Sequence, residues 1–229
     1  MGDIRLETQG ACKKFFRKRR DSAQYFDAVA PTDLKLNAGE LVVLKGRSGS
    51  GKTTLLNMMA GLLEPSEGTV TLDGQNLYEL DDASLSRLRN GRFGVIPQGQ
   101  TVLHSLSVVQ NVTLPYLMYR NDDGCENRAL ELLESLGIRQ LADSYPSELS
   151  GGESRRVCVA RALMCAPDVL FADEPTGNLD DASTKVVLEL LRAYADDGAV
   201  VFVVTHEQMA EDYADHVLNM DAGVIEVRA

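Results

Sequence analysis

The sequence predicts an α/β domain in which helices cover both faces of a mainly parallel β-sheet. Three short apolar runs, at 41–44, 169–172 and 199–204, are typical of buried strands because neither of their faces carries polar side chains. Stretches with helical periodicity lie between them, at 155–165 and 182–194. Strands that alternate with helices in this way favour parallel pairing, with crossover helices on both faces of the sheet.

The N-terminal part of the chain has a different pattern. Ile4 and Leu6, and later Leu34 and Leu36, occupy alternate positions, as in strands with one buried face. The segment 69–72 runs into an Asp-Gly turn, which is typical of a hairpin strand. We therefore expect an antiparallel β portion in the N-terminal part of the domain.

The segment 99–150 shows helices and loops where the rest of the chain alternates strands with helices. Leu130, Leu133 and Leu136 recur at helical spacing on a predicted helix over 126–136. A chain of 229 residues is also short for two independent domains. We therefore predict a single domain, 1–229, with a core of about 1–98 and 151–229 and an inserted helical subdomain of about 99–150.

The charge of the chain bears on its partners. A formal net charge of -11 argues against general nucleic-acid binding, because such a surface repels a polyanion. A local basic segment, 13–20, nevertheless carries six Lys and Arg residues around Phe15 and Phe16. This segment is either a solvated turn between two early strands or a contact site for phosphate groups, anionic lipid heads or an acidic partner. We expect no nucleic-acid partner.

The cysteines and the apolar runs bear on the compartment. The four cysteines show no CxxC spacing and no metal-type pairing with the histidines, so we expect reduced thiols in the cytosol. Cys158 and Cys165 should share one face of a helix. No apolar run approaches the roughly 20 residues that a membrane-spanning helix needs, and the N-terminus lacks the apolar core of a signal peptide. A role at a membrane would therefore require recruitment by a partner.

A glycine-rich motif at 46–53 fits the pattern GxxxxGK[ST] and stands between a buried strand and a helix that begins near Lys52. In this context it predicts a phosphate-binding loop, in which backbone N–H groups turn inward and the helix N-terminus adds roughly half a positive charge. Lys52 is expected to reach the terminal phosphates, and Thr53 to offer its hydroxyl to Mg²⁺. The predicted nucleotide-binding residues of this loop are Gly46, Ser48, Gly49, Ser50, Gly51, Lys52, Thr53 and Thr54.

Two acids, Asp173 and Glu174, directly follow the apolar run 169–172. They should emerge at the carboxyl edge of the sheet, where α/β folds bind their ligands. In P-loop enzymes one acid at this edge holds Mg²⁺, and a neighbouring acid can orient or deprotonate the attacking water. We therefore predict that Asp173 binds the metal and that Glu174 acts on the water.

The segment 149–153, Leu-Ser-Gly-Gly-Glu, resembles the LSGGQ signature of ABC ATPases, and 156–163 resembles the helix that follows it. A serine and two glycines that open a helix also form a second anion-binding N-terminus. One nucleotide cannot easily use two such sites of the same chain, and in this family the signature of one subunit closes on the ATP held by the other. The resemblance implies that the nucleotide bound by a partner chain is contacted by four residues of this segment, Ser150, Gly151, Gly152 and Glu153.

Other residues match further elements of the family in their usual order. Gln98 resembles the Q-loop glutamine, which implies roles in catalysis and in metal binding. Asp180 resembles the D-loop aspartate, implied to act at the nucleotide, and His206 resembles the catalytic switch histidine. The aromatic residue that stacks on adenine is best matched by Phe15, with a core aromatic as the alternative role and with Phe16 or Tyr25 as substitutes.

Two departures from the family pattern lie near these elements. Ser154 and Arg155 replace glutamines that are common after the signature, and Pro97 stands where an aromatic residue often precedes the Q-loop glutamine. Proline lacks an N–H group and fixes φ. We therefore expect a stiffer pivot for the helical subdomain.

The resemblance covers nearly the whole chain and implies the P-loop NTPase fold of ABC ATPases. Segments 107–115 and 175–180 are most similar to the macrolide-efflux, lipoprotein-release and antimicrobial-peptide-transport group. The resemblance implies an ATPase that uses ATP and Mg²⁺ and dimerises with a second ATPase subunit. It also implies that this ATPase drives an integral membrane permease from the cytoplasmic face of the membrane. Export or extraction of a peptide, lipoprotein or drug-like substrate is the implied role.

Two other functions remain as alternatives. A soluble ABC ATPase of translation or DNA repair usually carries two cassettes or a long coiled-coil insertion, and the sequence shows neither. A non-hydrolytic nucleotide-binding regulator is disfavoured by the presence of Glu174 and His206.

The segment between Gln98 and Tyr119 carries more apolar residues than a solvated loop needs. They either pack inside the helical subdomain or form a groove for a short cytoplasmic helix of the permease. If they form the groove, Leu103 and Leu106 should be among its exposed members. The apolar residues are Val102, Leu103, Leu106, Leu114, Tyr116, Leu117 and Met118.

Overall fold

The computed structural model of the chain describes residues 4–19, 22–99, 101–120 and 124–227. The strands are β1 (Ile4–Arg19), β2 (Ser22–Asn37), β3 (Leu41–Lys45), β4 (Glu67–Leu72), β5 (Gln75–Asn76), β6 (Phe93–Ile96), β7 (Val169–Asp173), β8 (Val200–Val204), β9 (His216–Asp221) and β10 (Val224–Val227). The helices are α1 (Lys52–Met59), α2 (Asp82–Arg92), α3 (Val108–Leu117), α4 (Cys125–Ser135), α5 (Gly151–Leu163) and α6 (Asp181–Asp196).

The strands form two sheets. An antiparallel sheet has the order β2-β1-β4-β5, and its largest part is the long β1–β2 hairpin. The second sheet has the order β10-β9-β3-β8-β7-β6, in which every neighbouring pair is parallel except β10 and β9. The predicted combination of a mainly parallel sheet and an N-terminal antiparallel portion is confirmed.

The apolar character of the central strands follows from two hydrophobic layers. On β3, Val42 and Leu44 face a layer that contains α1 and the antiparallel sheet. Leu41 and Val43 face the opposite layer, which contains α5 and α6. Each fully buried side chain of this size contributes roughly 1.5–3 kcal/mol, so a polar residue at either face would be costly.

Helices α3, α4 and α5 lie between β6 and β7 along the chain and pack against one another. Their buried side chains continue into the layer that covers the sheet. Ser107 caps α3 through a reciprocal pair of hydrogen bonds with Gln110.

The cysteines do not share one helical face as expected. Helix α5 ends at Leu163, so Cys165 lies beyond the helix that contains Cys158. All four cysteines are free thiols.

Among the described helices, none combines the length and the apolar composition that a bilayer crossing requires.

Candidate active site

The glycine-rich motif forms the loop between β3 and α1, as predicted. Gly51 precedes α1 with φ 107, and no side chain caps this helix end. A Cβ atom at Gly46 would lie 2.2 Å from the carbonyl oxygen of Met220, and one at Gly51 would lie 2.1 Å from that of Ala28. Any side chain at these two positions would therefore displace backbone, so the loop requires glycine there.

Two observations show that the loop fits a phosphate group. The buried hydroxyl of Ser50 has no hydrogen-bond partner among the described residues. The Nζ atom of Lys52 turns back on the loop and donates to the carbonyl oxygens of Gly46 (2.8 Å) and Arg47 (2.9 Å). A ligand with several acceptor oxygens would satisfy Ser50 and offer Lys52 a stronger, charged partner.

Asp173 ends β7 next to the loop, and the Thr53 hydroxyl donates to its Oδ2 across 2.6 Å. Burial raises the pKa of Asp173, and the hydrogen bond from Thr53 partly offsets this effect. The pair presents a hydroxyl and a carboxylate oxygen at one point, which suits a hard cation such as Mg²⁺ that retains waters and phosphate oxygens as its other ligands.

Glu174 follows at the same sheet edge and meets residues from the next strand. Its backbone N–H donates to the carbonyl oxygen of Val204 (2.7 Å). In the side chain, Oε2 accepts from the Thr205 hydroxyl (3.1 Å), and Oε1 lies 2.9 Å from Nδ1 of His206. These contacts follow from the parallel register of β7 and β8, which pairs Asp173 with Val204. Glu174 also has φ 51, a left-handed conformation that costs a non-glycine residue about 1–2 kcal/mol.

A cavity of about 750 Å³ brings most of the predicted residues together. Its lining comprises the glycine-rich loop, Phe15, Gln98, Asp173, Glu174 and His206, together with residues that the sequence analysis missed. The missed residues are Phe26, Asp27, Ala28, Ala222 and Gly223. The last of these supports the loop, because its N–H donates to the carbonyl of Ser50 (2.9 Å).

The long hairpin decides which aromatic residues face the cavity. Phe15 and Phe26 are cross-strand partners with ring centroids 6.0 Å apart, and both line the cavity. Phe16 and Tyr25 form the next pair, at 5.1 Å, and do not line it. Phe15 therefore lines the cavity, whereas the substitutes Phe16 and Tyr25 do not, because successive side chains of a strand point to opposite faces.

The basic segment near the hairpin tip is only partly covered by the structure. Lys13 donates to the carbonyl of Glu64 (2.5 Å), and Lys14 forms an ion pair with Glu67 (2.6 Å). Arg20 lies outside the described residues.

The predicted signature residues do not reach this cavity in the single chain. Ser150 caps α5, where its Oγ accepts from the N–H of Glu153 (3.2 Å) and its N–H donates to the Glu153 carboxylate (2.8 Å). The hydrogen bonds from Ser150 lower the pKa of Glu153. Ser150, Gly151, Gly152 and Glu153 are absent from the residues that line the cavity, and so is Asp180, which instead caps α6.

The capping arrangement also occupies the backbone N–H of Ser150. That N–H is already bonded to the Glu153 carboxylate, so a phosphate could accept from it only by displacing the carboxylate.

A glycine-rich loop at a helix N-terminus, with two acids and a histidine at the adjacent sheet edge, defines an ATPase of the P-loop class. The family model of the ABC transporter matches residues 29–177. The chain is 38% identical over 226 residues to the lipoprotein-releasing system ATP-binding protein LolD of Syntrophotalea carbinolica, and the alignment covers 98% of each chain. The chain belongs to the ABC transporter family.

Other relatives are longer. The macrolide export ATP-binding/permease protein MacB of Shewanella sp. (strain ANA-3) is 38% identical over 212 residues, which cover 92% of this chain and 32% of MacB. The chain likewise spans 33% of the probable syringafactin export ATP-binding/permease protein SyfD of Pseudomonas syringae, at 38% identity over 221 residues.

Solved structures agree with this assignment. The dimeric structure of the ATP-binding cassette MJ0796 in a post-hydrolysis state, bound to ADP and Pi, matches with a TM-score of 0.89 at 30% identity and covers 98% of this chain and 99% of that chain. A second dimeric structure of MJ0796, described as a bacterial ABC transporter cassette, also gives a TM-score of 0.89, at 31% identity. The predicted ABC ATPase fold is therefore confirmed.

Proposed function

We propose that two copies of the chain hold ATP between them and that hydrolysis drives a membrane permease, which exports or extracts a lipoprotein, peptide or drug-like substrate. The convergence of Lys52, Asp173, Glu174 and His206 on one cavity supports the hydrolytic part most directly. The names of the relatives LolD, MacB and SyfD, which refer to lipoprotein release, macrolide export and syringafactin export, support the transport part.

In the proposed reaction, Glu174 acts as the general base. Its carboxylate takes a proton from water, the water oxygen forms a bond to the γ-phosphorus, and the bond to the bridging oxygen of ADP breaks, which gives ADP and phosphate. The contacts with Thr205 and His206 orient both carboxylate oxygens of Glu174 before water binds. Gln98, on the same cavity, would orient the water from the other side.

The remaining residues would offset the charge of the phosphates. Lys52 can exchange its two loop carbonyls for phosphate oxygens, and other residues of the loop 46–53 line the same cavity. Thr53 and Asp173 would hold Mg²⁺, with Gln98 as a further ligand. When bound, Mg²⁺ neutralises charge on the β- and γ-phosphate oxygens. His206 is exposed and can reach a γ-phosphate from the open side of the cavity.

The position of the signature supports a two-chain site. The N-terminus of α5 is an anion-binding end, yet it does not line the cavity of its own chain. A second chain, related by two-fold symmetry, would place its α5 against the open side of this cavity. Gly152 packs close to the segment before α6, since a Cβ added at Gly152 would lie 3.3 Å from the carbonyl oxygen of Asn178. Asp180 belongs to the same segment, so Gly152 and Asp180 would lie in the same interface.

The proposed permease contact is a groove of about 290 Å³ between α2, β6, the end of α3 and α5. Its apolar lining includes Leu62, Met118 and Tyr119, whose exposed fractions are 52%, 64% and 45%. Arg89 and Arg161 also line it, so we assign it to a short amphipathic helix with an apolar face and an acidic residue. Strand β6 runs from this groove toward Gln98, which offers a route from the nucleotide to the partner.

Part of the apolar segment predicted for this groove lies elsewhere. Val102 is buried and Tyr116 packs against the core. Leu103 is exposed and Leu106 is half-buried, but neither lines the groove.

We place the chain at the cytoplasmic face of the membrane as a peripheral subunit, with membrane contact through the permease. We also propose that residues of about 99–150 move as a helical unit against the remaining core when ATP binds.

Copurification tests the transport part. A tagged chain isolated from detergent-solubilised membranes should bring a single integral membrane protein with it in stoichiometric amount. Recovery of the chain alone from membranes that contain its natural partners, or with ribosomes or DNA, would contradict the proposal.

A further inference from the structure

Arg155 lies in the first turns of α5 and is 3% exposed, which is unusual for an arginine. It occupies one of the positions where this sequence departs from the glutamine common in the family. Among the described residues, no carboxylate forms an ion pair with its guanidinium group. Its guanidinium group is hydrogen-bonded instead to backbone carbonyl oxygens.

The guanidinium group has five N–H donors, and each one has a separate carbonyl acceptor. Nη1 donates to Pro97 (2.7 Å) and Gly99 (2.9 Å). Nη2 donates to Asp173 (2.5 Å) and to Glu174, and Nε donates to Pro175 (3.2 Å). All hydrogen-bonding capacity of the side chain is therefore used by two backbone segments.

These two segments carry the residues assigned to the attacking water. Pro97 and Gly99 flank Gln98, and the other three carbonyls belong to the segment that contains the metal-binding acid and Glu174. A guanidinium group is planar and rigid, so it sets the distance between the segments as well as their orientation. A glutamine side chain has only two N–H donors and could not hold both segments in the same way.

We propose that Arg155 is a positioning residue for ATP hydrolysis, which holds the backbone around Gln98 at a fixed distance from the backbone of Glu174. This inference rests on the proposed roles of Gln98 and Glu174. It also links both residues to the signature, because Arg155 and Ser150 belong to the same helix. A movement of α5 would therefore shift Gln98 and Glu174 together.

The test compares Arg155→Gln with Arg128→Gln in the full chain. Arg128 is a matched control, because its guanidinium also donates to carbonyls near the far end of α5, those of Met164 (2.9 Å) and Leu163 (3.2 Å). Arg155→Gln should lower kcat for ATP by about 10- to 100-fold with KM within about threefold of the wild-type value, since a misplacement of about 1 Å costs up to about 100-fold in rate. Arg128→Gln should lower Tm and keep kcat.

A double-mutant cycle with Gln98→Ala separates positioning from a general structural effect. If Arg155 acts partly through Gln98, the combined loss in kcat will be smaller than the product of the two single losses. Arg155→Lys, which keeps the charge and up to three donors, should give an intermediate kcat and provides a second variant if Arg155→Gln does not fold.

Several results would overturn the proposal. The proposal fails if either folded Arg155 variant has the kcat of the wild type, or if its loss is confined to KM. It also fails if the two losses in kcat multiply fully in the double-mutant cycle, or if neither Arg155 variant folds. A wild-type chain that does not hydrolyse ATP would overturn the ATPase function itself. Wild-type hydrolysis with an unaffected Arg155→Gln variant would remove only the positioning role.

Discussion

Nδ1 of His206 lies 2.9 Å from Oε1 of Glu174, although the two residues are separated by 32 positions along the chain. Parallel pairing of β7 with β8 brings them together, and the Thr205 hydroxyl holds the second carboxylate oxygen. Glu174 is therefore oriented through both of its oxygens before any substrate binds. This arrangement supports the proposed role of Glu174 as a general base, with the exposed side chain of His206 beside it.

The first prediction concerns Glu174→Gln. The amide keeps the shape of the side chain but loses the basic oxygen, so turnover should fall by about 100- to 10,000-fold while ATP binding stays nearly intact. The variant should form a stable dimer with Mg-ATP. Phosphate release and gel filtration with and without nucleotide measure both effects. Glu189→Gln, at an exposed site on α6, is the control, and unchanged hydrolysis in Glu174→Gln would remove the residue from the mechanism.

The second prediction concerns Ser150→Arg. A long cationic side chain at the N-terminus of α5 would fill the phosphate site of the opposing chain, so ATP-driven dimerisation should be lost while each chain still binds nucleotide. Equilibrium binding of a fluorescent ATP analogue and sedimentation velocity separate these effects. Ser147→Arg, at an exposed site three residues earlier, should behave as the wild type. Normal hydrolysis by Ser150→Arg at low protein concentration would refute the two-chain site.

The third prediction concerns Glu153→Gln. The Glu153 carboxylate holds the N–H and Oγ of Ser150, which an incoming phosphate would use. Glutamine can maintain the cap without the negative charge, so the affinity for dimerisation with ATP should rise on the order of threefold to tenfold. Sedimentation of the variant in a Glu174→Gln background measures this affinity. The control is Glu148→Gln, which removes the negative charge of a similar cap at Tyr145. Weaker dimerisation of Glu153→Gln than of the wild type would contradict the account.

The fourth prediction concerns the groove. Met118→Glu and Tyr119→Glu place a carboxylate in its apolar part, so the permease should no longer copurify, while the ATPase activity and Tm of the isolated chain remain within error. Leu103→Glu is the matched control, because Leu103 is 45% exposed but outside the groove. Loss of the permease in Leu103→Glu alone would place the contact on the loop before α3.

The sequence predicted the parts of the site that depend on local pattern. The glycine-rich loop, Asp173 and Glu174 each follow an apolar strand, so their place at the sheet edge follows from strand direction alone. The strand β6 and helix α2 were not predicted, because β6 is only four residues long and α2 buries a single leucine. Such short or weakly amphipathic segments give little periodic signal.

Features that depend on register or on distant contacts could not be derived in this way. Phe26 faces the cavity because it pairs with Phe15 across a hairpin whose register shifts three times between Thr8 and Lys14. Arg155 was recognised as a departure, but its five acceptors come from segments 58 to 18 residues away. The groove joins residues of four elements, α2, β6, α3 and α5, that no single pattern connects.

The dependence of ATP turnover on protein concentration tests the two-chain site most directly. The account predicts that the rate of phosphate release per chain rises in proportion to concentration while monomer dominates, and then levels off once ATP holds the chains as dimers. The oligomeric state is measured by sedimentation at the same concentrations. A rate per chain that stays constant over a dilution series in which only monomer is found would contradict it.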